Sequence, residues 1–338
     1  MRVGIAGASG YAGTELLRLC AAHPAFEVAV ATAGSHAGQR VAEHTPALAG
    51  AYPDLAYAAT SPSAFEGCDL VFLAMGHGES QKLVPALMDS VPTVVDLAAD
   101  FRLKDPALYP RWYGAPHQAP TLLGEAVYGL PELYRDHLAG AHLVAAPGCY
   151  PTAATLALAP FVRAGLVEPH GIVVDAASGV SGAGRGATER LAFGTVDENF
   201  TAYGLLDHRH TPEMEQVLGA QVLFTPHLAP MVRGILATCY ARPRASTLDT
   251  ARALQVLSEA YRGEPFVVVG PEPPATKATL GSNSVHLSVR VDPRTGWLVA
   301  LGALDNLVKG AAGQAIQCAN LALGLQEPLG LPLAGMFP

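Results

Sequence analysis

The chain has 338 residues, of which 50% are hydrophobic and 15% charged, and its formal net charge at pH 7 is -8. This length and composition suit two folded domains with large cores and exclude an intrinsically disordered protein. Because a net negative surface without a block of basic residues repels polyphosphate, no nucleic-acid partner is expected.

The cysteines are scattered, with neither a CxxC pair nor a close His/Cys cluster, at Cys20, Cys68, Cys149, Cys239 and Cys318. This spacing predicts no disulfide framework and no metal site. No apolar run approaches the ~20 residues that a membrane helix needs, and no secretory signal precedes the first glycine-rich segment. We therefore expect a cytoplasmic protein without a membrane partner.

The N-terminal segment has the order strand, glycine turn, helix. Residues 2–6 predict a buried strand, GASGYAG follows from Gly7 to Gly13, and residues 14–22 are amphipathic. Such a turn lets backbone N–H groups approach a pyrophosphate at the helix N-terminus. The spacing is GxxGxxG rather than GxGxxG, so a plain tight turn remains the alternative. The predicted cofactor contacts here are Gly7, Ser9, Gly10, Tyr11, Ala12 and Gly13.

The end of the next strand, residues 27–32, indicates which dinucleotide is bound. A domain that binds NAD usually offers a carboxylate to the ribose hydroxyls at this point. Here no Asp or Glu follows directly, whereas Ser35 and nearby Arg40 are able to bind a 2′-phosphate. The sequence therefore predicts NADP.

Strand-like runs at 69–74 and 93–97, with a helix predicted at 81–88, indicate a doubly wound parallel sheet of the Rossmann type. Polar residues follow these strands, at the edge where such sheets bind ligands: His77, Asp96, Asp100 and Arg102. The planar fork of Arg102 suits an anionic substrate group, and a salt bridge with Asp100 or Asp105 is its alternative.

The second half of the chain has strand-like runs at 171–176, 221–224, 234–240 and 284–291, which predict a largely antiparallel sheet in an α+β domain. A small-residue-rich helix follows near the C-terminus. We therefore expect an NADP-binding Rossmann domain at 1–148, completed by a C-terminal helix at 306–338, and a catalytic and oligomerisation domain at 149–305.

Cys149 stands where a glycine turn gives way to a predicted helix start, in the run APGCYPT. Pro151 suits the first turn of a helix. The helix dipole and unpaired N–H groups there favour the thiolate, which is the form that attacks carbonyl carbon. The alternative is a small buried hydrophobe, which most free cysteines are.

Two further segments carry candidate chemistry. The loop SGVSGAGR, from Ser178 to Arg185, has backbone amides suited to a phosphate or the nicotinamide side of a cofactor, or is a mobile surface loop. The run HRHTPE from His208 offers a histidine for proton transfer at neutral pH, or two surface histidines at a helix start.

Taken together these runs resemble the N-acetyl-gamma-glutamyl-phosphate reductase family, related in plan to aspartate-semialdehyde dehydrogenase. The resemblance spans nearly the whole chain, and eight motifs in order carry it: GASGYAGTEL from Gly7, DFRL from Asp100, YGLPELYR from Tyr128, PGCYPT from Pro147, SGVSGAGR from Ser178, HRHTPE from His208, TPHLAPMVRGI from Thr225 and DNLVKGAAGQA from Asp305. Two departures are Gly76 where Pro is expected before His77, and Ala146 where many relatives have Asn.

The resemblance implies that Cys149 attacks a small acyl phosphate and that NADPH reduces the resulting thioester, with His208 as proton donor and acceptor. It implies substrate contacts at Arg102, Tyr203, His210, Glu213 and Arg185, of which His210 and Glu213 position either His208 or the substrate. Besides Ser35, the expected cofactor contacts are Ser181, Gly182 and Asn306, and a homodimer or homotetramer is expected.

Three other functions compete with this one. A lysine-pathway relative reduces an aminoadipyl phosphate carried on an acidic protein, and is expected to lack the Tyr150-Pro151 pair and to show a basic docking patch. An NADP-binding sensor predicts loss of Cys149 or His208, and both are present. A purely structural oligomer leaves the two glycine loops unexplained.

Overall fold

The computed structural model describes residues 1–337. Its strands, in chain order, are β1 Arg2–Ala6, β2 Glu27–Thr32, β3 Leu70–Leu73, β4 Thr93–Asp96, β5 Val127–Tyr128, β6 Leu143–Ala145, β7 Ile172–Gly179, β8 Thr201–Ala202, β9 Val222–Ala229, β10 Ile235–Ala241, β11 Val267–Val269, β12 Val285–Val291 and β13 Leu298–Leu304. Its α-helices are α1 Tyr11–Ala22, α2 Val41–His44, α3 Ser80–Leu87, α4 Tyr109–Tyr113, α5 Pro131–Leu138, α6 Cys149–Arg163, α7 Phe193–Val196, α8 His210–Leu218, α9 Thr250–Ala260 and α10 Gly313–Ala322.

The chain divides into two compact units. The first contains Met1–Pro147 and Ala311–Leu331, and the second contains Gly148–Gly310 and the tail from Pro332 onward. The sequence assigned all of 306–338 to the first domain. The structure differs at both ends of that segment, because residues 306–310 and the tail belong to the second unit.

The first unit is built on a sheet with the strand order β2-β1-β3-β4-β6-β5. Each neighbouring pair in this order is parallel within the described residues, in agreement with the predicted Rossmann-type sheet. Its central strands are short, mostly apolar and buried on both faces, as parallel strands between helices require, and β4 ends in the buried Asp96. Helix α1 buries Leu16, Leu17 and Leu19 on its inner face, and α10 packs against α1, α5 and β4.

The C-terminal helix is much shorter than the predicted 306–338. A π-helical turn, Val308–Ala312, precedes α10, which ends at Ala322. Beyond α10 the tail is part of the second unit, in which Met336 N–H donates to Leu280 O at 2.7 Å. The small residues of α10 are nearly all buried, as expected for a helix that approaches its neighbours closely.

The second unit contains a sheet with the order β11-β12-β13-β10-β7-β9-β8. The pairs β11/β12 and β7/β9 are parallel, and the four other neighbouring pairs of the described residues are antiparallel. The predicted largely antiparallel sheet is therefore confirmed. The strands alternate buried and partly exposed residues because helices cover one face.

Helix α6 forms the core of the second unit. It packs against α8, α9, β10 and β13, and its residues from Tyr150 to Phe161 are buried on all sides. The approach is close at Gly302, where a Cβ atom would lie 2.7 Å from the carbonyl oxygen of Ala153. This packing fixes the position of the N-terminal end of α6, where Cys149 lies.

Candidate active site

The glycine turn of the first unit has three glycines with different roles. Gly7 has a positive φ of 73°, and a Cβ there would lie 2.4 Å from Ala74 O. A Cβ on Gly13 would lie 2.3 Å from Gly7 O. A Cβ on Gly10 would meet only Gly7 O, at an ordinary 3.5 Å. Packing therefore requires glycine at two of the positions, and the space at Gly10 is left open.

This turn has the features of a pyrophosphate cradle. Helix α1 begins at Tyr11, and its N-cap residue Gly10 provides no side-chain hydrogen bond to the first turn. The backbone N–H groups of that turn and the helix dipole favour an anion here. The neighbouring predicted contacts Ser9 and Ala12 are half-buried, Tyr11 is exposed, and His44 Nε2 lies 3.3 Å from Ser9 O. Sequence reasoning did not single out His44.

Ser35 lies exposed in the turn after β2, where the sequence predicted a 2′-phosphate contact. Arg40 follows, also exposed, and forms an ion pair of 2.7 Å with Glu43. A phosphate bound by Arg40 would have to compete with this carboxylate, so the structure weakens the predicted contribution of Arg40 and leaves that of Ser35 untested.

Arg102 is buried and spans the carboxyl ends of two neighbouring strands. Its Nε donates to Ala146 O and its Nη2 donates to Leu97 O, each at 2.8 Å. These carbonyl groups directly follow β6 and β4. The guanidinium is therefore fixed at the edge where parallel sheets bind ligands, and its contact with substrate stays a prediction.

In the second unit Cys149 is the first residue of α6 and is half-buried, so the helix begins two residues before Pro151, the residue that suited its first position. Gly148 is the N-cap residue, and its backbone N–H donates to Glu213 Oε1 at 2.8 Å. Glu213 is fully buried on α8. The Thr152 hydroxyl closes the first turn by donating to Gly148 O at 3.0 Å. The backbone of Gly148, directly before the thiol, is thus fixed by hydrogen bonds at both its N–H and its carbonyl group.

Both histidines of the HRHTPE run lie in an aromatic cluster beside this turn. The His208 and His210 ring centroids are 4.7 Å apart, and each ring packs edge-on against Tyr150. A Cβ on Gly148 would lie only 2.4 Å from His210 Nε2, so that ring touches the residue before Cys149. Tyr203 packs against His208, and its hydroxyl lies 3.3 Å from that of Tyr150.

Burial determines the ionisation of His208. Burial, and then the charge of Arg209, lower the pKa of this imidazole from 6.5 to about 4, while Asp207 opposes them. The His208 ring is therefore neutral at physiological pH. Because His208 Nδ1 accepts the backbone N–H of His210 at 3.1 Å, the proton of the neutral ring is assigned to Nε2. Burial likewise raises the pKa of Tyr203 to about 12, so its phenol stays protonated.

The predicted cofactor contacts of the second unit are joined by hydrogen bonds. Asn306 Nδ2 donates to Ser181 Oγ at 2.9 Å, and Asn306 Oδ1 accepts the N–H of Gly234 at 2.7 Å. Gly182 lies beside them, in the 3-10 turn Val180–Ala183. The glycine loop predicted from Ser178 is thus partly the end of β7 and partly this turn, and Arg185 beyond it is exposed.

Gly310 is a site residue that no local pattern around the thiol reveals. A Cβ on Gly310 would lie 2.7 Å from Cys149 Cβ, so the π-helical turn packs directly against Cys149. The only signal available in the sequence was its place in the motif DNLVKGAAGQA.

Among residues 1–337, no three His, Cys, Asp or Glu side chains are grouped so as to hold a metal ion. No helix of the same residues has both the length and the apolar character needed to cross a membrane.

Two family models match the chain. The model described as "Semialdehyde dehydrogenase, NAD binding domain" matches residues 2–141, and "Semialdehyde dehydrogenase, dimerisation domain" matches residues 149–306. Among solved structures, aspartate semialdehyde dehydrogenase II from Vibrio cholerae, complexed with ASA, aligns with a TM-score of 0.72 and 17% identity, covering 96% of this chain and 98% of that one. The NADP complex of aspartate semialdehyde dehydrogenase from Candida albicans aligns with a TM-score of 0.70 and 15% identity, covering 95% and 97%. These structures share the fold.

Curated relatives are similar over the full length. N-acetyl-gamma-glutamyl-phosphate reductase from Symbiobacterium thermophilum is 51% identical, covering 99% of this chain and 98% of that protein. The protein of the same name from Desulforudis audaxviator is 47% identical over 100% of both. Because these relatives match over their full length and both semialdehyde dehydrogenase domain models match the chain, it belongs to the N-acetyl-gamma-glutamyl-phosphate reductase family and is an oxidoreductase of the semialdehyde dehydrogenase type.

Proposed function

We propose that the protein reduces N-acetyl-L-glutamyl 5-phosphate to N-acetyl-L-glutamate 5-semialdehyde with NADPH, releasing phosphate, in arginine biosynthesis. The observation that carries the proposal is Cys149 at the first position of α6, on a turn fixed by the buried carboxylate of Glu213. The names of the relatives that match over their full length support this substrate.

The first step forms a thioester. The N-terminus of α6 favours the Cys149 thiolate because the helix dipole and the N–H groups of the first turn stabilise negative charge there. The thiolate attacks the carbonyl carbon of the acyl phosphate, a C–S bond forms, and the C–O bond to phosphate breaks with both electrons leaving on phosphate. Cys149 then holds the acyl group for reduction.

The second step reduces the thioester. NADPH, when bound, supplies the hydride to the thioester carbon. His208 presents Nε2–H to the carbonyl oxygen on which negative charge develops, which a neutral imidazole is able to do at pH 7. The thiohemiacetal collapses to the aldehyde, the C–S bond breaks, and Cys149 returns to the thiolate while a proton passes through His208.

The remaining predicted residues bind and orient the substrate in this proposal. Arg102 and Arg185 attract its anionic groups, and Tyr203 and His210 form the wall beside the thiol. Glu213 acts through Gly148 because its Oε1 already accepts that backbone N–H. We keep His208 as the proton carrier and His210 as the group that orients the turn.

NADP is the proposed cofactor. The open space at Gly10 and the uncapped first turn of α1 fit a pyrophosphate, while Ser181, Gly182 and Asn306 form the group proposed for the nicotinamide end. A carboxylate at position 35 should repel the 2′-phosphate. Ser35→Asp should therefore lower kcat/KM for NADPH more than for NADH, whereas Ala51→Asp, the same charge at an exposed distant position, should alter neither.

We propose a cytoplasmic homo-oligomer that pairs through the uncovered face of the second sheet. Four residues on neighbouring strands are paired in register across this face: Leu223, Val173, Tyr240 and Val299. Of these, Leu223 is 50% exposed and Tyr240 is 36% exposed. The matched dimerisation-domain model supports a homodimer, and a homotetramer would add a second interface. Tyr240→Glu should halve the sedimenting mass, whereas Val232→Glu, at an exposed apolar residue outside this face, should leave it unchanged.

The decisive assay runs the reaction backwards. The enzyme is supplied with N-acetylglutamate 5-semialdehyde, phosphate and NADP, and the absorbance of NADPH is followed. Wild type should give a phosphate-dependent signal, Cys149→Ala should abolish it, and Cys68→Ala should retain it. The proposal fails if wild type shows no phosphate-dependent signal or if Cys149→Ala keeps it. Running the assay with aminoadipate semialdehyde, free or carrier-bound, tests the lysine-pathway substrate.

A further inference from the structure

Two buried carboxyl groups of the first unit share one serine hydroxyl. Asp96 ends β4 and Asp100 follows four residues later, and both are almost fully buried. The Ser80 hydroxyl oxygen, at the start of α3, lies 3.1 Å from Asp96 Oδ2 and 2.9 Å from Asp100 Oδ2. Sequence reasoning placed these carboxylates at the ligand edge of the sheet and assigned no chemistry to Asp96.

The hydrogen bonds among Ser80, Asp96 and Asp100 depend on how many hydrogens these three side chains carry. A serine hydroxyl has a single hydrogen and can donate it to one carboxylate only. Since the group is closed to water, the second contact is a hydrogen bond only if that carboxyl oxygen carries a proton and donates it to Ser80 Oγ. This count favours a neutral acid in one of the two carboxyl groups, because each of the contacting oxygens then has a hydrogen-bond partner.

Of the two carboxyl groups, that of Asp100 is the better suited to carry a negative charge. Its Oδ1 accepts the N–H of Gly78 at 2.6 Å and its Oδ2 accepts the N–H of Gln81 at 3.1 Å, in addition to the Ser80 hydroxyl. Asp96 Oδ1 accepts one backbone N–H, from Ala98 at 3.0 Å. Several N–H donors stabilise a carboxylate, so the proton belongs to Asp96.

The surroundings of Asp96 favour the same assignment. Burial, and then the charge of Asp100, raise the pKa of the Asp96 carboxyl well above its usual range, while Arg102 opposes them. The Tyr109 phenol also interacts with Asp96, and His117 interacts with Asp100. The neighbouring strands β3 and β6 are wholly apolar, and α10, which packs on β4, contains no Asp, Glu, Lys, Arg or His. Helix α3, which also packs on β4, has one titratable side chain, the exposed Lys82, which forms an ion pair of 2.8 Å with Glu79.

We propose that Asp96 is a neutral carboxylic acid at physiological pH, joined through Ser80 to the Asp100 carboxylate, and that its neutrality preserves the positive charge that Arg102 presents at the ligand edge of the sheet. With Asp96 neutral, the single charge of Asp100 balances that of Arg102, so the edge of the sheet has no net negative charge. An ionised Asp96 would add a negative charge there and repel an anionic substrate. This consequence, unlike the protonation itself, rests on the proposed function.

Thermal unfolding of Asp96→Asn against pH tests the protonation. Asparagine reproduces the neutral acid, since its NH2 group can donate to Ser80 and its oxygen can accept from Ala98. An unfolded chain releases the Asp96 proton above its ordinary pKa of 3.8, whereas the folded chain retains it, so wild type loses stability as pH rises above that value. The Tm of the variant minus that of wild type should therefore rise from about pH 5 to about pH 8.

A difference in Tm that stays flat or falls over this range overturns the proposal. Asp89→Asn, at an exposed aspartate, is the matched control and should give no slope. Asp100→Asn should lower the Tm throughout the range, because an amide group cannot accept all the N–H bonds that Asp100 accepts.

The KM for phosphate in the reverse assay tests the consequence. Asp96→Asn should keep this KM within ~2-fold of wild type at about pH 7. At alkaline pH, the KM of wild type should rise as Asp96 ionises, and that of the variant should rise less. Equal pH profiles would overturn the role toward Arg102. Absence of any phosphate-dependent signal in wild type would instead reject the proposed reaction, while the stability slope would still test the proton.

Discussion

Glu213, which is fully buried on α8, accepts the backbone N–H of Gly148 at 2.8 Å, and Gly148 is the residue immediately before Cys149. One hydrogen bond thus connects α8 to the N-cap of α6 at the point where the thiol lies. Because both groups are buried, no water can replace the carboxyl oxygen as the acceptor of this N–H. It fixes where α6 begins, and therefore where Cys149 stands relative to the histidines.

Glu213→Ala should lower both stability and kcat. The variant leaves the Gly148 N–H buried and unsatisfied, which costs about 1–3 kcal/mol, and frees the turn before Cys149. Glu215→Ala is the matched control, because Glu215 on the same helix accepts the Val222 N–H at 3.0 Å, away from the thiol. Urea unfolding and the reverse assay should show a loss of stability in both variants and a loss of kcat in Glu213→Ala alone. An equal fall in kcat would contradict the positioning role.

Gly148→Ala should disable the enzyme by moving His210. The new Cβ would lie 2.4 Å from His210 Nε2, and the ring would have to leave the turn. Loss of a well-placed acid, base or orienting group costs about 100-fold or more in rate. Gly270→Ala is the control, since a Cβ there has no heavy atom within 4 Å. Steady-state kinetics that show wild-type kcat for Gly148→Ala would mean that the position of His210 is irrelevant to the reaction.

Gly10→Ala should separate cofactor binding from folding. A Cβ at Gly10 makes only an ordinary contact, so the Tm should stay near that of wild type, but it would occupy the space proposed for the pyrophosphate. The KM for NADPH should rise at least about 10-fold. Gly13→Ala should behave oppositely and lower the Tm, because its Cβ would lie 2.6 Å from the Cα of Ala8. Unchanged NADPH binding in Gly10→Ala would place the cofactor elsewhere.

The elements that sequence reasoning located best are those in which local pattern and tertiary environment agree. Strands β1 and β2 were predicted with the bounds observed, because short apolar runs between glycines suit buried parallel strands. The start of α6 was predicted because Pro151 and the glycine turn are local signals. Both of these features depend on residues close together in the sequence.

The features that were missed depend on contacts between distant residues. The turn before α10 is π-helical and brings Gly310 close to Cys149, and no local propensity reveals this approach. Glu213 was predicted to orient a histidine or the substrate, and its bond to Gly148 joins positions 65 residues apart. The pairing of Ser80 with Asp96 and Asp100 likewise follows from the stacking of α3 on the sheet, which a one-dimensional pattern does not specify.

Acid should destabilise the protein partly through His208. Burial lowers the pKa of this imidazole from 6.5 to about 4 in the folded chain, so between these values the unfolded chain binds a proton that the folded chain rejects. The contribution of His208 to the free energy of unfolding is therefore fully present above pH 6.5 and is lost as the pH falls toward 4. In His208→Gln this part of the loss should disappear, so that its Tm falls less steeply than that of wild type over the same range. His170→Gln, at an exposed histidine, is the control and should follow wild type. Parallel curves for His208→Gln and wild type would show that His208 titrates alike in both states, which would contradict the lowered pKa assigned to the buried imidazole in the folded chain.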